Sequence, residues 1–343
     1  MSPPAPKPLP AGAVTILPLA GLPEITTGAD LAALLISELD IVGGLHDGDL
    51  LVVSSKVVSK ALGLRAPEGT AREDLVHRHT HRIVAERSTP QGTTSIVESV
   101  AGPVMAAAGL DASNTGAGGG VLALPSDPDG AARDLHDALA SHSPDTAFGL
   151  VISDTAGRPW RLGQTDFALG AHGVRVVDDL RGATDADGRP LAVTSRAVAD
   201  EVAAAADLVK GKTGGVGAAL VRGLGGLVTN DTAAGARSLV RTGPADWFAL
   251  GHREAVRAAL GAPPGSAEAR HVGIPSVTPE ADELRGARAV RLALLGHEDA
   301  HVLGGVSGGY AVSSASPLLA GRVAARLEVA LAGESVTAKV RIA

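Results

Sequence analysis

Carboxylates that follow an apolar strand, with hydroxyls and ammonium groups arriving nearby, are the residue types that hold a divalent cation against phosphates. The chain offers that combination more than once. In "VISDTAGRPWRLGQTD" (151–166) the run ends in Ser-Asp-Thr, then sets Trp160 between Arg158 and Arg161. In "MAAAGLDASNTGAGGG" (105–120) Asp111 stands between small residues and a glycine run. Asp and Thr oxygens are hard ligands suited to Mg²⁺ or Mn²⁺, and loops beyond the carboxyl ends of strands are where α/β sheets bind ligands. The pattern alone fits helix caps or turns as readily.

In "SSKVVSK" (54–60), Ser55, Lys56, Ser59 and Lys60 follow the buried strand Leu50–Val53 at once. They are placed to meet phosphates, or to start an ordinary exposed helix. "KGKTGGVG" (210–217) ends like a phosphate-binding P-loop but lacks its first glycine, which is Ala206, and sits behind a helix instead of a strand. A glycine turn whose amides approach a phosphate remains open. "HRHTH" (77–81) puts His77 and His81 at helical i, i+4 spacing, but Arg78 stands where a zinc protease needs Glu, so a solvated basic face is the simpler expectation. Arg158 and Arg161 can grip a carboxylate or phosphate, and Trp160 can stack on a flat ring; a loop anchor with surface arginines explains them equally.

These groups need a scaffold. The 343 residues suffice for one large or two smaller domains. Glycine (44 residues) and abundant alanine indicate a mixed α/β protein packed through small side chains. Zero cysteines exclude disulfides, thiolate metal sites and a cysteine nucleophile. The net charge of −7 argues against general nucleic-acid binding. No apolar run reaches the roughly 18 residues of a membrane span, and "MSPPAPKPLPAG" reads as a proline-stiffened tail, not a signal peptide; a cytoplasmic enzyme without membrane contact is expected.

The periodicity predicts a strand leading into a proline-containing turn over 13–25, a helix in 28–45, a helix over 71–87, strands at 93–100, 147–153 and 218–224, a loop and a helix over 123–142, and a helix at 195–211. "GAPPGSAEA" (261–269) reads as a linker. Beyond it the pattern gives helices near 279–296 and 316–331, a strand near Tyr310–Ser314, and a last strand alternating Val336, Ala338, Val340 and Ile342. The expected organisation is a disordered tail over 1–12, a main domain over 13–260, and a small C-terminal α/β module over 270–343 with no catalytic pattern.

In order, "GLPEI", "DGDLLVVSSKVVSKALG", "VMAAAGLDASN", "VISDTAGRPWRLGQTDFALGAHGV" and the glycine-rich loop before "ALVRGL" resemble the coenzyme F420-0:L-glutamate ligase family over about residues 14–250. The resemblance implies a mixed α/β F420 glutamate ligase-like fold in an intertwined homodimer. It implies GTP as a substrate, Mg²⁺ or Mn²⁺ with K⁺ as a further candidate ion, and coenzyme F420-0 and L-glutamate as the molecules joined. The precursor's carboxylate would attack the γ-phosphate of GTP, and glutamate would displace the resulting acyl phosphate. Carried over by position, Leu22, Pro23, Glu24, Ile25, Ser55, Lys60 and Asn114 match GTP-binding residues. Asp111 and Asp154 match ligands of one metal, and Thr155 a ligand of a second. Arg158 or Arg161 holding a substrate anion is an expectation from the residues alone.

Five positions depart from the family pattern. Ala101 replaces His, Ala107 replaces Asn, Leu180 replaces Tyr, Gly217 replaces the Pro of a Gly-Val-Pro turn, and Lys212 stands where some relatives carry an acidic residue. They leave two competing expectations: a non-catalytic nucleotide- or deazaflavin-binding paralogue, and a ligase for another phosphorylated hydroxy acid.

Overall fold

Apolar runs bounded by glycine, proline and capping residues lay out the elements of the computed structural model, which describes residues 12–67, 69–116, 119–231 and 234–343. Residues 1–11, most of the expected tail, lie outside the described residues. In chain order come β1 (Thr15–Leu19), α1 (Leu31–Ile41), β2 (Leu50–Ser54), α2 (Ser55–Ala61), α3 (Arg72–Arg78), β3 (Thr80–Thr89), β4 (Gly92–Ser99) and β5 (Val104–Ala106). Next are α4 (Pro128–Ala140), β6 (Gly149–Arg158), β7 (Arg161–His172), β8 (Asp178–Asp179), β9 (Ser195–Arg196), α5 (Val198–Lys210) and β10 (Ala218–Arg222). The remainder are α6 (His252–Ala259), α7 (Ala267–Val272), α8 (Asp282–Leu294), β11 (Ala300–Gly305), β12 (Gly309–Ser314), α9 (Pro317–Gly333) and β13 (Val340–Ile342). This is a mixed α/β architecture, as the composition indicates.

The chain divides into two compact units. The first runs up to Leu75 and adds Val100–Pro103 and Gly109–Arg241. Its five-stranded sheet has the order β1-β10-β2-β6-β7; β2 and β6 are parallel and the other neighbours antiparallel. Strand β2 is apolar at every position from Leu50 to Val53 and fully buried, as a strand covered on both faces must be. Leu50, Val52, Val151, Ala219 and Val221 face Ala199, Val202, Ala203 and Ala206 of α5. Alternation turns Leu51, Val53, Leu150 and Ile152 to the other face, where α4 packs on β6 and β7. The alanines let α5 approach the sheet closely.

Capping fixes where the helices begin. Asp30 accepts the Ala33 amide at 3.0 Å to start α1, and Gly43 and Gly44, both at positive φ, follow its end. Asp127 accepts the Gly130 amide at 3.1 Å to start α4, with Pro128 in the first turn, where its missing N–H is harmless.

The second unit joins Val76–Ser99 and Val104–Ala108 to Thr242–Ala343. It contains the antiparallel meander β3-β4-β5 and a second three-stranded sheet, β11-β12-β13. Its core collects Leu260, Val272, Leu292, Val312, Val323 and Leu327. The stretch expected to be a linker is part of this unit: Ala262 is fully buried and the Gly265 amide donates to Glu86 at 2.7 Å. Arg288 bridges Glu280 and Glu334 in the same interior.

Two expectations need correction here. The helix predicted over 71–87 stops at Arg78, and β3 starts at Thr80. The β-branched and arginine-rich run "THRIVAERST" finds a partner in β4, and that pairing outweighs the apparent helical period. His77 and His81 therefore do not share a helical face. In the last strand only Val340–Ile342 pairs with β12, while Val336 is buried in the core ahead of it.

Ala107 sits at φ +48 and Ala108 at φ +56, the left-handed region that costs a non-glycine residue roughly 1–2 kcal/mol. Asn tolerates this region best among side-chain-bearing residues. Ala107→Asn is expected to stabilise the protein by up to about 1 kcal/mol, read as a raised urea midpoint at unchanged slope. A lowered midpoint would show that the Ala107 side chain matters more than its backbone.

Candidate active site

Five segments of the first unit converge on one cavity of about 620 Å³. The turn after β1 supplies Leu22, Pro23, Glu24 and Ile25. The β2–α2 junction supplies Ser54, Lys56, Val57 and Lys60. Asp111, Asn114 and Gly116 come from the loop before α4, Asp154 and Thr155 from β6, and residues between Gly211 and Gly217 from the loop after α5. That volume suits a nucleotide-sized ligand.

Asp154 lies within β6, not beyond its end, because the strand continues to Arg158 and turns into β7. Its carboxylate accepts the Ser55 hydroxyl at 2.7 Å. Burial pushes the Asp154 carboxyl up to about 6, against the opposing pull of the Ser55 and Thr155 hydrogen bonds, with nearby Asp166 adding to the rise. A carboxylate so placed favours a proton or a cation. Between its ordinary value of 3.8 and about 6, the fold binds a proton that the unfolded chain does not. Stability of the metal-free protein should therefore fall as pH rises across that window and level off above it. Urea titrations of wild type and Asp154→Asn from pH 4 to 8 check this: the difference between them should change only within the window. A pH-independent difference would contradict it.

Asp111 pairs with Lys56 at 2.8 Å and accepts the Ser113 amide at 2.7 Å. Burial raises its carboxyl, but the Lys56 and Ser113 hydrogen bonds outweigh that and hold it below the usual value. Lys60, buried at 8% exposure, donates to Glu24 at 2.5 Å. Asn114 takes positive φ (+49) and its amide donates to the Lys212 carbonyl at 3.2 Å, tying the Asp111 loop to the glycine-rich loop.

Thr155 donates to Asp166 at 2.6 Å and accepts a hydrogen bond from the Lys212 ammonium. Asp166 is buried, paired with the equally buried Lys210 at 2.7 Å, and receives the Ser153 hydroxyl at 2.9 Å. Neither Asp166 nor Lys210 stood out in the sequence as a site residue. The signal was the hairpin register, which pairs Asp166 with Thr155.

The loop after α5 joins a helix to strand β10, the reverse of a P-loop's strand-loop-helix order. Gly215 takes φ +70, and a side chain on Gly217 would lie 2.6 Å from Val57. The backbone reaches this close to α2 only because that residue is glycine.

Every carried-over residue lines the cavity except Ser55, which reaches it through Asp154. Arg158 and Arg161 do not line it. They pair with each other at the tip of the β6–β7 hairpin, beside Trp160 at 84% exposure and φ +58. Four residues of strand separate Arg158 from Asp154, about 13 Å. The ring and guanidiniums in the sequence motif thus belong to an exposed hairpin tip of this chain. Ala101 and Leu180 do not line the cavity, whereas Lys212 does.

The lysine-paired carboxylates Asp111 and Glu24, the buried Asp154, a hydroxyl and a glycine-rich backbone around one cavity have the chemistry to accept a polyanionic ligand and a hard cation. The family model described as F420-0:Gamma-glutamyl ligase matches residues 21–223. Proteins named coenzyme F420:L-glutamate ligase are similar: that of Halobacterium salinarum is 39% identical over 212 residues, covering 56% of this chain and 79% of its own length. The Haloarcula marismortui protein is 36% identical over 222 residues, covering 59% and 84%, and the Natronomonas pharaonis protein 39% over 212, covering 56% and 79%. The chain belongs to the F420-0:gamma-glutamyl ligase family. It is an amide-bond-forming ligase with a role in coenzyme F420 biosynthesis. Among the described residues, no helix is long and apolar enough to cross a membrane.

Proposed function

We propose that this cavity joins L-glutamate to coenzyme F420-0 at the expense of GTP, through an acyl phosphate, with a divalent cation at Asp111 and Asp154. The observation that supports it most is the meeting of Leu22–Ile25, Lys60, Asn114, Asp111 and Asp154 around one cavity, from segments far apart in sequence. The relatives' names supply the substrates, and the family match over residues 21–223 includes every residue that lines the cavity.

Phosphoryl transfer leaves the protein chiefly positioning and charge neutralisation to perform. Lys60 would leave Glu24 to meet the GTP phosphates, and Lys56 would turn from Asp111 as the cation arrives. The Mg²⁺ or Mn²⁺, when bound, neutralises charge on the phosphate oxygens. Lys212 already brings positive charge to Thr155, so this reading assigns one metal to the Asp pair and the lysine to the position beside it. Asp166 and Lys210 hold Thr155 and Ser153 without touching substrate. Two protomers would carry the site, and Arg158 and Arg161 would serve an anion reaching the hairpin tip.

Incubating the protein with F420-0, glutamate, GTP and Mg²⁺ or Mn²⁺ tests the reading. Glutamate-dependent GDP release with a glutamyl mass gain is expected; GTP binding without either product contradicts it. Lys60→Ala should weaken GTP binding by about ten- to a hundred-fold, because a charge-assisted phosphate contact is worth roughly 1.5–3 kcal/mol. Calorimetric titration with GTP checks this, and an unchanged affinity would leave Lys60 as Glu24's partner only.

A further inference from the structure

At the other end of the β6–β7 hairpin, His136, Asp137 and His172 bring one ligand atom each to within 4.8 Å of one another. The register pairs Leu150 with His172 and Asp154 with Phe167. Four residues along β6 therefore separate this cluster from Asp154, about 13 Å, and none of the three lines the candidate active site. The cluster is independent of the ligase chemistry.

One pair of the three already has the spacing of metal ligands. His136 Nδ1 stands 3.4 Å from an Asp137 carboxylate oxygen. Ligands at about 2.0–2.2 Å from a tetrahedral zinc ion lie roughly 3.4 Å apart, the same spacing. His136 Nε2 lies 3.2 Å from the Phe148 carbonyl. A carbonyl only accepts, so this nitrogen carries the hydrogen, and a neutral ring then turns the Nδ1 lone pair towards the carboxylate. Two acceptors then face each other, an arrangement that a metal cation, or a proton on Nδ1, between them would satisfy. Metal-bound histidines commonly donate their other N–H to a backbone carbonyl in this way. The His136 ring is also fixed in plane by stacking on Phe148, with centroids 4.4 Å apart at 25°. His172 tilts across it at 4.8 Å and 59°, offering a second imidazole. Gly173 at φ +66 turns the chain immediately after it.

We propose that His136, Asp137 and His172 form a second metal site, separate from the active site, that takes Zn²⁺ or a similar imidazole-preferring cation with water completing the shell. Two nitrogens and one carboxylate select such an ion over Mg²⁺, which prefers oxygen ligands. The ion ties α4 to the end of β7 and acts as a staple, not a catalyst.

Zn²⁺ uptake by the full-length protein, measured against a chromophoric chelator in excess Mg²⁺ without nucleotide, tests the site. One equivalent is expected for wild type and for Asp154→Asn, with a raised melting temperature. Loss of an outer-shell partner alone costs about 10–100-fold in metal affinity, so loss of a ligand in His172→Ala should cost at least about 100-fold. That variant should keep its metal-free melting temperature and its ligation rate. His136→Gln provides an independent removal of a nitrogen ligand and should bind as weakly. Co²⁺ should give a visible absorption band in wild type that both variants lack. A protonated His136 ion-paired to Asp137 explains the 3.4 Å contact without metal, and it requires that wild type take up no Zn²⁺ under these conditions. That result, or uptake unchanged in both histidine variants, overturns the proposal.

Discussion

Asp154→Asn is expected to abolish metal-dependent ligation while the fold persists, and Asp111→Asn to do the same. The Asn side chain keeps the size and shape of Asp but removes one anionic oxygen, and hard cations depend on that charge. The rate should drop by at least about 100-fold, the scale on which losing one preorganised electrostatic group slows an enzyme. The double variant should be little worse than either single, because both carboxylates would act through one ion. If the two residues only shape loops, each variant turns over near the wild-type rate and loses at most about 1 kcal/mol of stability. Ligation rates and melting curves of the three variants distinguish the two cases. Asp154→Asn should also keep or raise the stability of the metal-free protein above pH 6, since burial holds that carboxyl near 6.

Lys210→Met should be the most destabilising single change near the site, at about 3–5 kcal/mol, because it strands a buried carboxylate without its partner. Asp166 and Lys210 are 4% exposed each, and Asp166 also holds Ser153 and Thr155. Burial raises the Asp166 carboxyl, but the charge and hydrogen bond of Lys210 outweigh it and hold it below 3.8. A lowered carboxyl contributes stability that is present above the unfolded value and lost as pH falls through the folded one. Wild type should therefore lose this contribution on acidification below about pH 3.8, and Lys210→Met should lack it at every pH. Asp166→Asn added to Lys210→Met should recover part of the loss by removing the stranded charge. Denaturant midpoints across pH check both statements; a Lys210→Met midpoint equal to wild type would show that Asp166 is solvated.

Much of the scaffold was legible because periodicity and capping are local. Asp30 and Asp127 start helices where a carboxylate precedes an apolar run, and Leu50–Val53 is buried as its composition demands. What escaped was non-local. The run 80–87 looked helical because nothing within it shows that β4 lies alongside. Asp154 looked like a strand terminus because the apolar run gives way to Ser-Asp-Thr, whereas the chain makes a hairpin and Trp160 takes the turn. That same hairpin carries Arg158 and Arg161 away from the cavity and brings Asp166 beside Thr155. Ala262 appeared to lie in a linker because prolines and glycines surround it, yet it is buried in the second unit. The site residues themselves came through ordered motifs, and their meeting around one cavity could not be read from spacing alone.

The most direct test of the acyl phosphate route follows an oxygen atom. F420-0 labelled with ¹⁸O in the carboxylate is incubated with the protein, GTP, glutamate and Mg²⁺ or Mn²⁺, and the released phosphate is weighed by mass spectrometry. Attack of the carboxylate on the γ-phosphate leaves its oxygen bridging carbon and phosphorus, and displacement by the glutamate amine sends that oxygen out with the phosphate. One ¹⁸O per phosphate released is the expected result. Phosphate without label, beside a glutamylated product, would contradict the account.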